Sequence, residues 1–154
     1  MKFKINESVK INKNSIVLYP DNSFGSTYDD KEPWHFQVSL TAWADLLLNF
    51  NKLTNKCVSC EGFVFKTSKR IVLKELNISK ATDAALLFKS EHIPEYGIEI
   101  LLESETVYFD NGKRIIAFGD TVSQEALYKF GEGQFVQLRD EKIVAIYIAL
   151  KEPK

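Results

Sequence analysis

Lys142-Ile143-Val144-Ala145-Ile146-Tyr147-Ile148-Ala149-Leu150 is the stretch whose reading decides the fold. At strand spacing Ile143, Ala145, Tyr147 and Ala149 point one way, and Val144, Ile146, Ile148 and Leu150 the other. Neither side carries a charge. A strand that is apolar on both sides belongs in the middle of a sheet, covered above and below. The rest of the chain must therefore supply neighbouring strands and covering layers.

Working outward, Gln134–Arg139 and the turn Asp140-Glu141 make a closing hairpin with this strand. Upstream, Thr106–Phe109 and Arg114–Phe118 flank Asp110-Asn111-Gly112-Lys113, and Asn-Gly tolerates the positive φ angles of a type I′ hairpin turn. Thr121-Val122-Ser123-Gln124 fits a capping box that opens a short helix through Lys129, stopped by Gly131 and Gly133. Trp43, Leu46, Leu47 and Phe50 fall at i, i+3, i+4 and i+7, which predicts a helix capped by Ser39 or Thr41. A further helical segment is expected from Ser79 or Thr82, with Ala81, Ala84, Ala85 and Phe88 on one side. Val58–Lys66 and Arg70–Leu76 read as a hairpin around Thr67-Ser68-Lys69. Short strands are expected over residues 2–5, 16–19 and 34–38, and residues 98–103 lean towards strand. The stretch 21–33 has turn formers and no periodicity, and reads as the longest loop.

Hairpin strands interrupted by two or three helices predict an α+β fold: residues 1–154 as one domain, with a largely antiparallel sheet, flat or strongly curved, and helices packed on it. A chain of 154 residues can bury an ample core without disulfide or metal. A formal net charge of −1 gives no global basic field for nucleic acid. No apolar run approaches the length of a membrane span, and the first residues show no secretory signal, which points to the cytoplasm and to no membrane partner.

Motifs of chemistry are scarce. Cys57-Val58-Ser59-Cys60 lacks the second pair that a structural zinc site needs. In a strand, residues three apart face opposite ways, so two structural core thiols are expected. His35 and His92 could each act as a general base, but no nucleophile or phosphate-loop motif accompanies them. Neither cofactor nor metal is expected, and nothing positive argues for an enzyme. Lys66, Lys69, Arg70 and Lys74 cluster without matching a nucleic-acid-binding pattern.

The charge distribution says more. Glu91, Glu95, Glu99, Glu103, Glu105 and Asp110 occur with no Lys or Arg between them. A block of one sign can steer an oppositely charged partner, although acidic runs are often just solvated faces. Asp29 and Asp30 in the long loop could extend the patch, and Phe24 and Tyr28 beside them are candidate anchors of a protein contact. Size, lack of catalytic motif and the acidic block resemble, in general appearance, a small bacterial immunity protein that neutralises a toxin by covering it. A basic toxin domain is then the expected partner. The other readings are a small-ligand or enzymatic domain using His35 or His92, and a structural assembly subunit.

Overall fold

The computed structural model describes residues 2–11, 16–26, 32–40, 46–63, 70–71, 78–89, 98–99, 105–110, 113–119 and 124–150. Its strands form three sheets. The first is a ribbon of β1 (Lys2–Asn6) and β9 (Ala85–Lys89). The second has six strands in the order β10 (Ile98–Glu99), β4 (Phe36–Ser39), β5 (Leu46–Phe50), β6 (Cys57–Phe63), β3 (Ser23–Ser26) and β2 (Ile16–Leu18). The third has seven: β7 (Arg70–Ile71), β11 (Glu105–Asp110), β12 (Lys113–Gly119), β15 (Lys142–Leu150), β14 (Gln134–Arg139), β13 (Tyr128–Gly131) and β8 (Thr82–Asp83). Pairing is antiparallel except where β10 meets β4, β7 meets β11 and β8 meets β13.

One hydrophobic core draws on the inner faces of all three sheets. The ribbon is tied to both larger sheets. Phe88 N donates to Asn55 O (2.8 Å), Ala84 N to Lys129 O (3.0 Å), and Phe3 N to Glu141 O (2.7 Å). Where ribbon and six-stranded sheet meet, two cross-strand pairs, Phe3–Phe88 and Phe36–Phe50, come together. Phe36 stacks on Phe50 at 5.4 Å, and Phe88 meets Phe36 edge-on at 5.3 Å. Such ring pairs contribute about 0.5–1.5 kcal/mol each beyond the area they bury.

As its double-sided apolar pattern implies, β15 runs between β12 and β14. Ile146, Ile148 and Leu150 enter the common core, while Ala145 and Tyr147 face away from it, under Ile78, Ala81 and Leu127. A bulge changes one assignment. Gln137 pairs with Ala145 but Leu138 with Ile143, so Val144 has no opposite residue and Ile143 turns inward beside Ile146. Gly119, at φ 91°, makes room on the other side, where a Cβ would collide with the Val144 carbonyl. The turn Asp140-Glu141 has φ values of 53° and 65°, the left-handed pair that a two-residue hairpin loop demands. The β11–β12 hairpin pairs Asp110 with Lys113, and the expected turn residues Asn111-Gly112 lie outside the described residues.

The α+β expectation is overturned, because the described residues contain no α-helix, only a 3-10 turn at Ile78–Lys80. Residues 46–50 satisfy both periods. Leu46 and Phe50 lie four apart on a helix, yet Leu46, Leu48 and Phe50 also alternate, and all three are fully buried in β5. Partners on both sides, β4 and β6, decide for strand. Residues 85–89 likewise pair with β1, and 128–131 with β14, where helices were expected. Residues 41–45 and 121–123, with the proposed caps Thr41 and Thr121, lie outside the described residues. Nor do β6 and β7 form a hairpin. β6 joins β5 and β3, and β7 runs parallel to β11 in the other sheet. The expected long loop is shortened by β3, whose residues pair with both β2 and β6.

Candidate functional site

Alternation in β5 and β6 sets up the candidate site. Leu46, Leu48 and Phe50 on β5, with Cys60 and Gly62 on β6, are buried, and the residues between them form the outer face of the six-stranded sheet. There Gln37, Asn49 and Ser59 stand in one cross-strand row, and Leu47, Glu61, Gly25 and Val17 in the next. Gly25 contributes no side chain to its row. The result is a half-open cleft of about 520 Å3, with Tyr19, Trp34 and Phe63 among its lining residues.

Those three aromatics are exposed by 50%, 41% and 49%, against the usual preference of such residues for the interior. Each is held by a defined local structure. Tyr19 opens a turn in which Asn22 N donates to Tyr19 O and Tyr19 N to Ser23 O, with Asn22 at φ 68°. Asp21 stabilises that turn by accepting from Ser23 N and Ser23 Oγ, and these bonds hold its carboxyl below the usual range. Trp34 sits on a short segment fixed from both sides. Asn51 Nδ2 donates to Pro33 O (2.8 Å), and His35 N to Phe50 O (2.8 Å). Lys52 N donates to His35 Nδ1 (3.1 Å). Glu32 pairs with the buried Lys56 ammonium at 3.3 Å. Phe63 ends β6 opposite Ser23.

The floor is polar. Gln37 Nε2 donates to Glu61 Oε1 (2.9 Å), and Asn49 Nδ2 to Ser59 Oγ (2.9 Å). Asn49 is only 4% exposed, and its Oδ1 has no hydrogen-bond partner among the described residues. A buried amide oxygen left unpaired costs about 1–3 kcal/mol unless a ligand or water completes it. Among the described lining residues there is one carboxylate, Glu61, and no Lys, Arg or His.

Most of the residues expected to bind a partner are not in this cleft. Glu91, Glu95, Glu103, Tyr28, Asp29 and Asp30 lie outside the described residues. Glu99 falls on β10 of the six-stranded sheet, whereas Glu105 and Asp110 begin and end β11 in the seven-stranded one. Phe24 is corrected. It is 2% exposed and belongs to the common core, because β3 turns it inward while Ser23 and Gly25 face the cleft. Of the two histidines offered as alternative general bases, His92 is outside the described residues, and His35 braces the backbone beside Trp34.

The cysteines also differ from expectation in orientation. Asn49 pairs with Ser59 but Phe50 with Cys57, so Val58 is bulged, and Cys57 and Cys60 both reach the core. Both are free and buried. Burial pushes the Cys57 thiol up to about 12, and burial, with Cys57 nearby, pushes Cys60 up as well. A thiol so placed is a poor nucleophile and metal ligand. Among the described residues no group of three His, Cys, Asp or Glu could hold a metal ion, and no helix is long and apolar enough to cross a membrane.

The cleft residues had a sequence signal that pattern reading passed over. Ser59, Glu61 and Phe63 alternate with Cys60 and Gly62, which places a charge and an aromatic ring on the solvent side of one strand. Comparison with protein-family models and with curated proteins gives no match.

Proposed function

We propose that this chain is a non-catalytic protein-binding module of the cytoplasm that neutralises a basic partner by covering it, as an immunity protein covers a toxin domain. What supports the reading is the make-up of the cleft. Exposed Tyr19, Trp34 and Phe63 border a floor whose one charge is the Glu61 carboxylate. Aromatic rings around a polar floor are the composition of protein contact surfaces, where Trp and Tyr supply a large share of the binding energy. The excess of negative charge favours a basic partner and speeds its encounter. The acidic run 91–110 adds charge of the same sign.

The test is calorimetric titration with any basic protein domain encoded beside this gene, at two salt concentrations. Lys replacement of Glu95, Glu99 and Glu103 should weaken binding and flatten its salt dependence, since exposed charges act through a screened field. Unchanged affinity and salt dependence in the triple variant would remove the acidic run from the function. No binding by any such domain would remove the immunity-type reading.

A further inference from the structure

The charge of the cleft is one-sided. Each floor amide gives one of its two N–H groups to a neighbour, Gln37 Nε2 to Glu61 and Asn49 Nδ2 to Ser59. Ser26 Oγ lies against Cys60 O and accepts from Cys60 N. The one charge that the described lining residues offer a ligand is negative: Glu61 accepts only, and Asn49 Oδ1, on a floor residue more than nine-tenths buried, has no donor among the described residues. A ligand suited to this floor brings N–H groups and positive charge, while aromatic walls suit a flat cation that stacks on a ring.

We propose that the cleft on the outer face of the six-stranded sheet is the seat of an arginine side chain presented by the protein partner, with Glu61 and Asn49 Oδ1 accepting from the guanidinium and the exposed aromatic rim enclosing it. This deepens the protein-binding reading above and rests on it. Arginine fits better than lysine because its planar group carries five N–H donors in a fixed fork, which can serve two acceptors on different strands. A cleft of about 520 Å3 also exceeds one side chain, so residues flanking the arginine enter with it.

The experiment is a 15N NMR titration of the intact chain with capped Gly-Arg-Gly, its lysine counterpart and its citrulline counterpart, the last of similar shape but uncharged. The arginine peptide should shift the Trp34 indole N–H and the Asn49 side-chain amide, reaching half-saturation at about 1 mM, an affinity of about 4 kcal/mol. Lysine should bind several-fold more weakly, and citrulline should leave both signals in place. Glu61→Gln should weaken the arginine peptide at least about tenfold, the equivalent of 1.4 kcal/mol. Gly25→Val should block it by filling the cleft. A Cβ at Gly25 meets its neighbours at 3.7–3.8 Å, so the sheet accepts the change, and the unperturbed spectrum reports that both variants are folded. The proposal is overturned if the arginine peptide moves neither signal, if citrulline binds as well, or if a neutral oligosaccharide moves the same two signals. The two readings fail separately. A basic protein that binds with an affinity indifferent to Glu61→Gln and Gly25→Val sinks the arginine seat and leaves the module. A peptide that binds when no basic protein does leaves the seat and sinks the module.

Discussion

On the outer face of the seven-stranded sheet stand Ile115, Ala117, Phe135, Ala145 and Tyr147, all buried under Ile78, Ala81 and Leu127. On the corresponding face of the six-stranded sheet stand Gln37, Leu47, Asn49, Ser59 and Glu61, with a cleft above them. Each face holds a buried amide, and the two amides differ in one respect. Gln137 is used at both ends: its Oε1 accepts from Tyr147 OH (2.9 Å) and its Nε2 donates to Glu125 O (2.9 Å). Asn49 is used at one end only. A fully engaged polar group fixes a covering segment in place, whereas a half-engaged one weakens the fold unless a ligand completes it. The first face therefore serves stability, and the second is the one proposed for recognition.

The strongest way to break that contrast is Tyr147→Ala. Removing a buried aromatic side chain should destabilise the chain by about 3–5 kcal/mol in urea unfolding. A cost under about 1 kcal/mol would mean that this face is not closed. Next in size is Glu32→Gln, which leaves the Lys56 ammonium, its side chain 7% exposed, without its carboxylate. A loss of about 1.5–3 kcal/mol is expected, the range for a hydrogen bond to a charged group. Because this pair braces the segment carrying Trp34, the indole signal should also shift. An unmoved indole would separate the ion pair from the cleft.

Much of this contrast was legible in the chain, and the parts that were not have identifiable causes. The two-sided apolar run 142–150 gave its own central position, and Asn111-Gly112 gave its hairpin, because strand period and turn chemistry are local properties. Leu46-Leu47-Leu48-Asn49-Phe50 misled because a nearly continuous apolar run fits both the helical and the strand period, and only long-range pairing separates them. The orientations of Ile143 and Cys57 depended on bulges at Val144 and Val58, which no alternation rule anticipates. Phe24, among small and acidic residues, looked like a loop anchor because β3 is formed by its two neighbours and not by its own propensity. The cleft was hidden for the same reason. Its rows run across five strands, β2 to β6, so no single segment displays them.

Alkaline pH sharpens the contrast from the core side. Burial raises the Cys57 thiol from 9.0 to about 12, so the folded chain keeps a proton that the unfolded chain releases above pH 9. Stability is therefore fully present below pH 9 and falls as pH rises towards 12, by up to about 1.4 kcal/mol per pH unit for the thiol. Cys57→Ala should flatten that part of the stability–pH curve relative to the parent chain. Parallel curves would mean that the thiol ionises as readily folded as unfolded. On the cleft side the expected effects are smaller. Trp34→Ala and Glu61→Gln change exposed side chains and should alter unfolding free energy by no more than about 0.5 kcal/mol.

The smallest expected change in stability is the most telling. Asn49→Leu together with Ser59→Ala removes both members of the pair and also the unpartnered oxygen, and it keeps a γ-branched side chain on the central strand β5. Replacing both partners of a buried hydrogen bond by apolar groups of similar shape is nearly neutral or stabilising. Loss of the unpaired atom pushes the balance further that way. The double variant should thus unfold at the same urea concentration as the parent chain, or a slightly higher one, while losing its response to the arginine peptide. Stability that rises as binding disappears is the signature of a polar group kept at a cost to the fold for the sake of a ligand. If the double variant is instead destabilised by about 2 kcal/mol or more, Asn49 is holding the sheet together, and the difference between the two faces is one of packing alone.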